Sequence, residues 1–241
     1  MQDPGRRLAS ARTWLDTLLV ILLVAVSASM LWRLWGGSMK TAKRAPTRTT
    51  ATAAPLPTEP IAIDDSASRG SGPVALIVFS DFQCPYCKTF ATTTWAEIDR
   101  TYIATGKVTA IFKHLPLEAI HKDAKFAAEV AECARRQGKF WTVHDQMFAP
   151  NFTLSRAGAA EVARKSGLDN KSLSQCLATD AGSTIEKDVS QARGLRVTGT
   201  PTFLIGRLNS GGQVAVSARL SGAAPFDRFK VALESALSSI R

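Results

Sequence analysis

Missing from this 241-residue chain are a second Cys-x-x-Cys, any His-x3-His and any internal repeat, so neither a four-ligand zinc site nor a solenoid is written into it. Aromatics are only 7% of the residues, and Gly (16) and Pro (11) are too sparse for a fibrous chain. Acid is scarcer than base, 20 Asp+Glu against 30 Lys+Arg, and the excess is unevenly placed. Residues 1–58 hold eight basic side chains against Asp3 and Asp16, a net +6, which leaves +4 for the other 183 residues. A nucleic-acid reader carries its charge on its folded surface, so the asymmetry points to membrane targeting, and no nucleic-acid partner is expected. With 45% hydrophobic and 21% charged residues, the bulk of the chain is globular.

Residues 14–35 read WLDTLLVILLVAVSASMLWRLW, whose only charges, Asp16 and Arg33, stand near the ends. As a helix this stretch spans about 33 Å, enough for a hydrocarbon core of about 30 Å, with Trp14, Trp32 and Trp35 where interfacial aromatics lie. One transmembrane helix is expected, after a basic segment at 1–13. The competing reading is a cleaved secretory signal, with Arg6, Arg7 and Arg12 before an apolar core at 18–26 and a small-residue site at Val26-Ser27-Ala28. Continuation through Met30, Leu31 and Trp32 favours retention, and either reading exports the rest of the chain. Positive charge flanks the segment on both sides and does not fix its orientation. Residues 36–59, made largely of Thr, Ala, Pro, Lys and Arg, cannot bury a core and are expected to form a flexible linker spanning about 25–30 Å.

The remainder, 60–241, is expected to be one α/β domain. VALIVFS at Val74–Ser80 is a continuous apolar run, the pattern of a strand buried on both faces. Cys84-Pro85-Tyr86-Cys87 follows, then helical spacing over 88–103 and an alternating strand over 107–114, which together make a β-α-β unit. Helical patterns over 121–138, 140–148, 156–166 and 172–193 form a block inserted at about 119–193. Strands at 202–205 and 213–220, joined by Gly211-Gly212, and an amphipathic helix over 225–240 complete the order.

A lone Cys-x-x-Cys serves equally as half a zinc site, a copper loop or a redox pair. Zinc needs two further ligands at matching spacing, and Cys133 and Cys176 stand alone, so no metal is expected. Position favours redox chemistry: Cys84 falls where a buried strand gives way to a helix, and unpaired N–H groups there stabilise a thiolate. Pro85 suits the first helical turn because it lacks an N–H that would be orphaned anyway. Cys84 is therefore expected as the exposed, low-pKa nucleophile and Cys87, one turn deeper, as the resolving thiol. Thr200-Pro201-Thr202 stands directly before the strand FLI, where an X–Pro bond is a candidate for cis.

These motifs, FSDFQCPYC (79–87) and GTPTF (199–203), with KHLPL (113–117), HKDAKFAAEVAECA (121–134) and GKFWTVHDQMF (138–148), resemble the DsbA-like branch of exported thiol:disulfide oxidoreductases in the thioredoxin superfamily. The resemblance covers about residues 60–241 and implies a thioredoxin fold with an inserted helical domain. It implies a cis Thr200–Pro201 bond beside the cysteines, with Pro85, Tyr86, Thr200 and Pro201 supporting the catalytic pair and the Thr200 backbone receiving an extended substrate. It further implies thiols of exported proteins as substrates, a membrane redox partner for re-oxidation, an extracytoplasmic or periplasmic location and no cofactor. One position departs: relatives place a buried acid six residues before the first cysteine, where this chain has Val78. Proton transfer then needs water or another group, with Asp81 and Lys113 as candidates.

An exported domain with an even cysteine count favours a Cys133–Cys176 disulfide, which would stabilise by about 3–4 kcal/mol; two buried thiols are the alternative. His114, His121 and His144 share no metal-like spacing and are expected as surface or hydrogen-bonded core residues, and Phe140, Trp141, Phe148 and Phe152 as core. The leading expectation is a membrane-anchored oxidoreductase that introduces disulfides through Cys84 and Cys87. A reductase or isomerase with opposite electron flow and a tethered copper-binding or chaperone module stand as alternatives.

Overall fold

The computed structural model describes residues 55–240. The expected basic segment 1–13, membrane helix 14–35 and most of the 36–59 linker lie outside the described residues. Among the described residues no helix is long and apolar enough to cross a membrane.

The centre of the fold is a pair of strands, β3 (Val74–Ser80) and β4 (Val108–His114), buried along their whole lengths and paired in parallel. The connection between them leaves the sheet as α1 (Pro85–Thr93), continues as α2 (Trp95–Ile98) and ends in a π-type turn over Asp99–Ile103. The expected single helix over 88–103 is thus broken, and the cause lies in its threonines. Hydroxyls of Thr89, Thr92 and Thr93 bond back to the carbonyls of Pro85, Lys88 and Thr89, and the buried Thr94 donates to Ala224 O at 3.2 Å. The carbonyls that would continue the helix meet competition, and Thr94 departs from ideal helical geometry at φ −104°.

Two short strands that periodicity could not reveal, β1 (Ile61–Ala62) and β2 (Ala67–Arg69), cap the sheet edges. With β5 (Thr202–Leu208) and β6 (Gln213–Ser221) the sheet runs β1-β6-β5-β3-β4-β2, antiparallel except between β3 and β4. A bulge between Ile205 and Gly206 brings the strands so close that a Cβ at Gly206 would meet Ala215 O at 2.0 Å, which only glycine permits.

Alternate residues of β3 face opposite layers, as the pleat requires. Leu76 and Val78 pack against Phe90 and Trp95 of the crossover and Phe229 and Leu233 of the last helix. Ala75, Ile77 and Phe79 pack against Ala192 and Val197 on the other side. Between β4 and β5 come α3 (Ala124–Arg136), α4 (Phe140–Met147), α5 (Arg156–Lys165), α6 (Asn170–Thr179) and α7 (Ala181–Gly194), and α8 (Phe226–Ser238) closes the chain. Ser155 and Asp169 cap α5 and α6 through side-chain bonds to Gly158 N–H and Ser172 N–H. The single helix expected over 172–193 is two, because Asp180 leaves helical geometry at φ −124° and its carboxylate is held by Arg136 at 2.9 Å. Trp141 of α4 ties the helical block to the sheet: it stacks on Trp95 at 5.4 Å, and its indole N–H donates to Ser68 O at 2.8 Å.

Candidate active site

The turn from β3 into α1 places Cys84 at the N-cap of the helix in extended conformation, with Pro85 at the first helical position. Cys84 N–H donates to Asp81 O at 3.1 Å, and Lys88 N–H returns to Cys84 O at 3.1 Å. Both cysteines are free thiols and both are buried, Cys84 at 3% exposure and Cys87 at 1%. The expectation of an exposed Cys84 is corrected: it belongs to the buried cluster that holds Phe82 and Phe148, and Pro85 and Tyr86, the latter 64% exposed, are the residues of the motif that meet solvent.

Thr200, distant in sequence, arrives beside the pair. Its peptide to Pro201 is cis, and Thr200 O lies 3.4 Å from Cys84 Sγ. The Thr200 hydroxyl is buried.

The electrostatics divide the two sulfurs. A hydrogen bond from the Cys87 thiol pulls Cys84 down to about 5, against the opposing effect of burial, helped by the Thr200 side chain and the main-chain N–H groups of Cys87 and Tyr86. Burial pushes Cys87 well above its ordinary value, and the neighbouring Cys84 adds to the rise. The Ser80 hydroxyl and the Asp81 main-chain N–H act on Cys87 in the opposite sense. One sulfur is a thiolate at neutral pH and the other keeps its proton, the division that sequential attack and resolution need.

Val78 is buried in the sheet, so no acid stands six residues before Cys84. Of the two candidate proton groups, Lys113 is locked in a buried pair with Asp188 at 3.0 Å, and burial raises the Asp188 carboxyl despite that pull. The Asp81 carboxylate is directed at Gln83 N–H, Leu117 N–H and His121, away from the sulfurs. What reaches Cys87 from this segment is Ser80 and the Asp81 main chain. Ser80 had a sequence signal, a lone hydroxyl ending an otherwise apolar strand, but nothing in the pattern aimed it at a sulfur.

Cys133 of α3 and Cys176 of α6 are joined by a disulfide, S–S 2.07 Å, in a small apolar cluster with Ala181, Leu173 and Leu177. His114 and His144 are buried and His121 is bonded to Asp81. Phe140 and Phe148 are core, with Trp141 and Phe152 packed partly buried against them. Among the described residues no three His, Cys, Asp or Glu side chains are gathered as a metal site would require.

A thioredoxin family model matches residues 69–217. Over 156 residues the chain is 34% identical to the Na(+)/H(+) antiporter NhaA 3 of Salinispora tropica, a match covering 63% of this chain and 23% of that one. Over 85 residues it is 33% identical to the probable disulfide bond formation protein D of Bacillus cereus, covering 34% of this chain and 38% of that protein. The chain thus spans less than a quarter of the antiporter relative's length. Among solved structures it is similar to alpha-DsbA1 of Wolbachia pipientis, TM-score 0.63 at 21% identity, covering 78% of this chain and 94% of that one. Oxidised BdbD of Bacillus subtilis gives TM-score 0.64 at 21% identity, covering 76% and 98%.

Proposed function

The chain belongs to the thioredoxin family, and from that premise we propose that it is an extracytoplasmic protein thiol:disulfide oxidoreductase, anchored by residues 14–35, that introduces disulfides into exported proteins. The observation that carries the reading is the divided pair: Cys84 lowered to about 5 and Cys87 raised, three positions apart at a helix start. In the oxidised protein a substrate thiolate attacks Cys84 Sγ, a mixed disulfide forms, the Cys84–Cys87 bond breaks and its electron pair leaves on Cys87 Sγ. A second substrate thiolate then attacks the substrate sulfur and releases Cys84 as a stabilised thiolate. The substrate loses two electrons and two protons; the enzyme pair takes both electrons and one proton, which Cys87 holds, the other proton passes to solvent, and a membrane redox partner removes the electrons. The Cys84–Thr200 contact leaves the backbone of the 199–201 turn beside the reacting sulfur, where an extended substrate segment can lie.

Stabilising the Cys84 thiolate stabilises the reduced state and raises the potential. Tyr86 brings no positive charge to the pair, so a potential of roughly −200 to −120 mV is expected. Equilibration of the purified protein with glutathione tests the reading. A value near −270 mV, as for thioredoxin, would favour the reductase alternative, and absence of exchange would contradict both.

A further inference from the structure

Asp81 faces two ways. Its carboxylate is fully buried and accepts three hydrogen bonds, from Gln83 N–H at 2.7 Å, from Leu117 N–H at 2.8 Å and from His121 Nδ1 at 2.8 Å. With a carboxylate opposite, Nδ1 is the donating nitrogen of the ring. Its main chain meets the cysteines: the carbonyl accepts from Cys84 N–H at 3.1 Å, and the N–H acts on the Cys87 sulfur. His121 lies on the far side of this residue, at the entry to the helical block, with its side chain 15% exposed.

The same two segments meet at further points. Leu115 N–H donates to Ser80 O at 2.9 Å, and Asp123 N–H, at the start of α3, donates to the Gln83 side chain at 2.9 Å. The loop 115–123 therefore lines the cysteine turn from outside. Of its bonds to that turn, only the one from His121 comes from a side chain of the loop, so it can be removed without breaking the backbone connections.

We propose that His121 is a positioning residue for exchange at the Cys84–Cys87 pair: by holding the Asp81 carboxylate it keeps the Asp81 main chain against both cysteines. The inference rests on the oxidoreductase reading and adds to it a control point on the helical block. Its chemical effect falls on Cys87 Sγ, which receives the electron pair when the disulfide opens. The Asp81 carbonyl holds Cys84 N–H at 3.1 Å and its N–H favours charge on Cys87, whose thiol in turn donates to the Cys84 thiolate, so loosening Asp81 weakens the support of both sulfurs.

Two readouts separate positioning from plain structural support: the Cys84 titration in the reduced protein, followed by thiolate ultraviolet absorbance, and the equilibrium with glutathione. In His121→Ala the Cys84 midpoint should rise and the equilibrium should move about 2- to 10-fold toward the disulfide, the worth of one hydrogen bond. His121→Asn, which places an N–H donor near the Nδ1 position, should restore both. Should the truncation not fold, His121→Gln, with the donor displaced by one bond, must show the same shifts in smaller size. A midpoint and equilibrium unchanged from wild type in the folded variant would overturn the proposal, whatever happens to stability. A wild type that does not exchange with glutathione would overturn the oxidoreductase reading instead, and the Cys84 titration would still decide the role of His121.

Discussion

The molecule holds two cysteine pairs, and burial does not distinguish them. Cys84 and Cys87 are 3% and 1% exposed; Cys133 and Cys176 are 0% and 8%. What differs is the surroundings. Around Cys84 are a helix N-terminus, the Thr200 side chain, main-chain N–H groups and a donating Cys87, while the linked pair lies among Leu173, Leu177 and Ala181. Donors on one thiolate make a disulfide that opens readily, because the charge released on opening is already solvated by the protein. Cys133 and Cys176 instead come from helix interiors, with no helix N-terminus at either sulfur, and the second pair serves as a clamp between α3 and α6.

The sharpest way to break this contrast is to remove one sulfur from each pair. Cys84→Ser should abolish exchange in an insulin or peptide-thiol assay, and Cys87→Ser should accumulate mixed disulfides. Cys133→Ala with Cys176→Ala should leave exchange in place. Retained activity in Cys84→Ser would erase the distinction between the pairs.

Stability should divide the other way. The linked residues are 43 apart in sequence. Cross-linking across that distance restricts the unfolded chain by about 4 kcal/mol in the loop-entropy argument, so the double alanine variant should lose stability of that order in denaturant unfolding. A loss under about 1 kcal/mol would mean the helical block holds without its clamp.

Acid should also separate the two regions. His114 ends β4, in edge contact with Phe112 and tilted on Phe82, with Nδ1 buried and unpartnered. Burial first, then the nearby Lys113 charge, lowers it from 6.5 to about 3. The unfolded chain therefore binds a proton that the folded one refuses. The stability this confers is complete above pH 6.5 and is lost as pH falls from there toward 3, at up to about 1.4 kcal/mol per pH unit. His144, also lowered by burial, acts in the same direction. His114→Phe should flatten the acid limb of the stability curve, and an unaltered slope would show that other groups set it.

The smallest expected effect concerns tuning. Tyr86→His puts an imidazole donor beside the Cys84 thiolate and should raise the potential by roughly 10–30 mV, one hydrogen bond's worth of free energy. An unchanged potential would mean that the donors already present saturate the sulfur.

Much of this was legible in the chain. VALIVFS announced a buried strand, Cys-Pro-Tyr-Cys its exit into a helix, and Gly-Thr-Pro-Thr the turn that meets it, because each motif carries its local conformation in its own residue types. The breaks at Thr94 and Asp180 were not legible, since helical periodicity continues across both while a tertiary partner, Ala224 or Arg136, ends the helix. Strands β1 and β2, two and three residues long, exist only through pairing with distant strands. Ser80 and the Asp81–His121 bond escaped for a related reason: a sequence shows which side chains can donate, and only the fold shows at what.

The most direct test of the central claim is the pH dependence of alkylation in the reduced wild-type protein, with the labelled residue identified by mass spectrometry. Labelling should be confined to Cys84, with a rate that rises through a midpoint near pH 5 and Cys87 unreactive at neutral pH. A midpoint near the ordinary thiol value of about 8.5, or equal labelling of the two sulfurs, would contradict it.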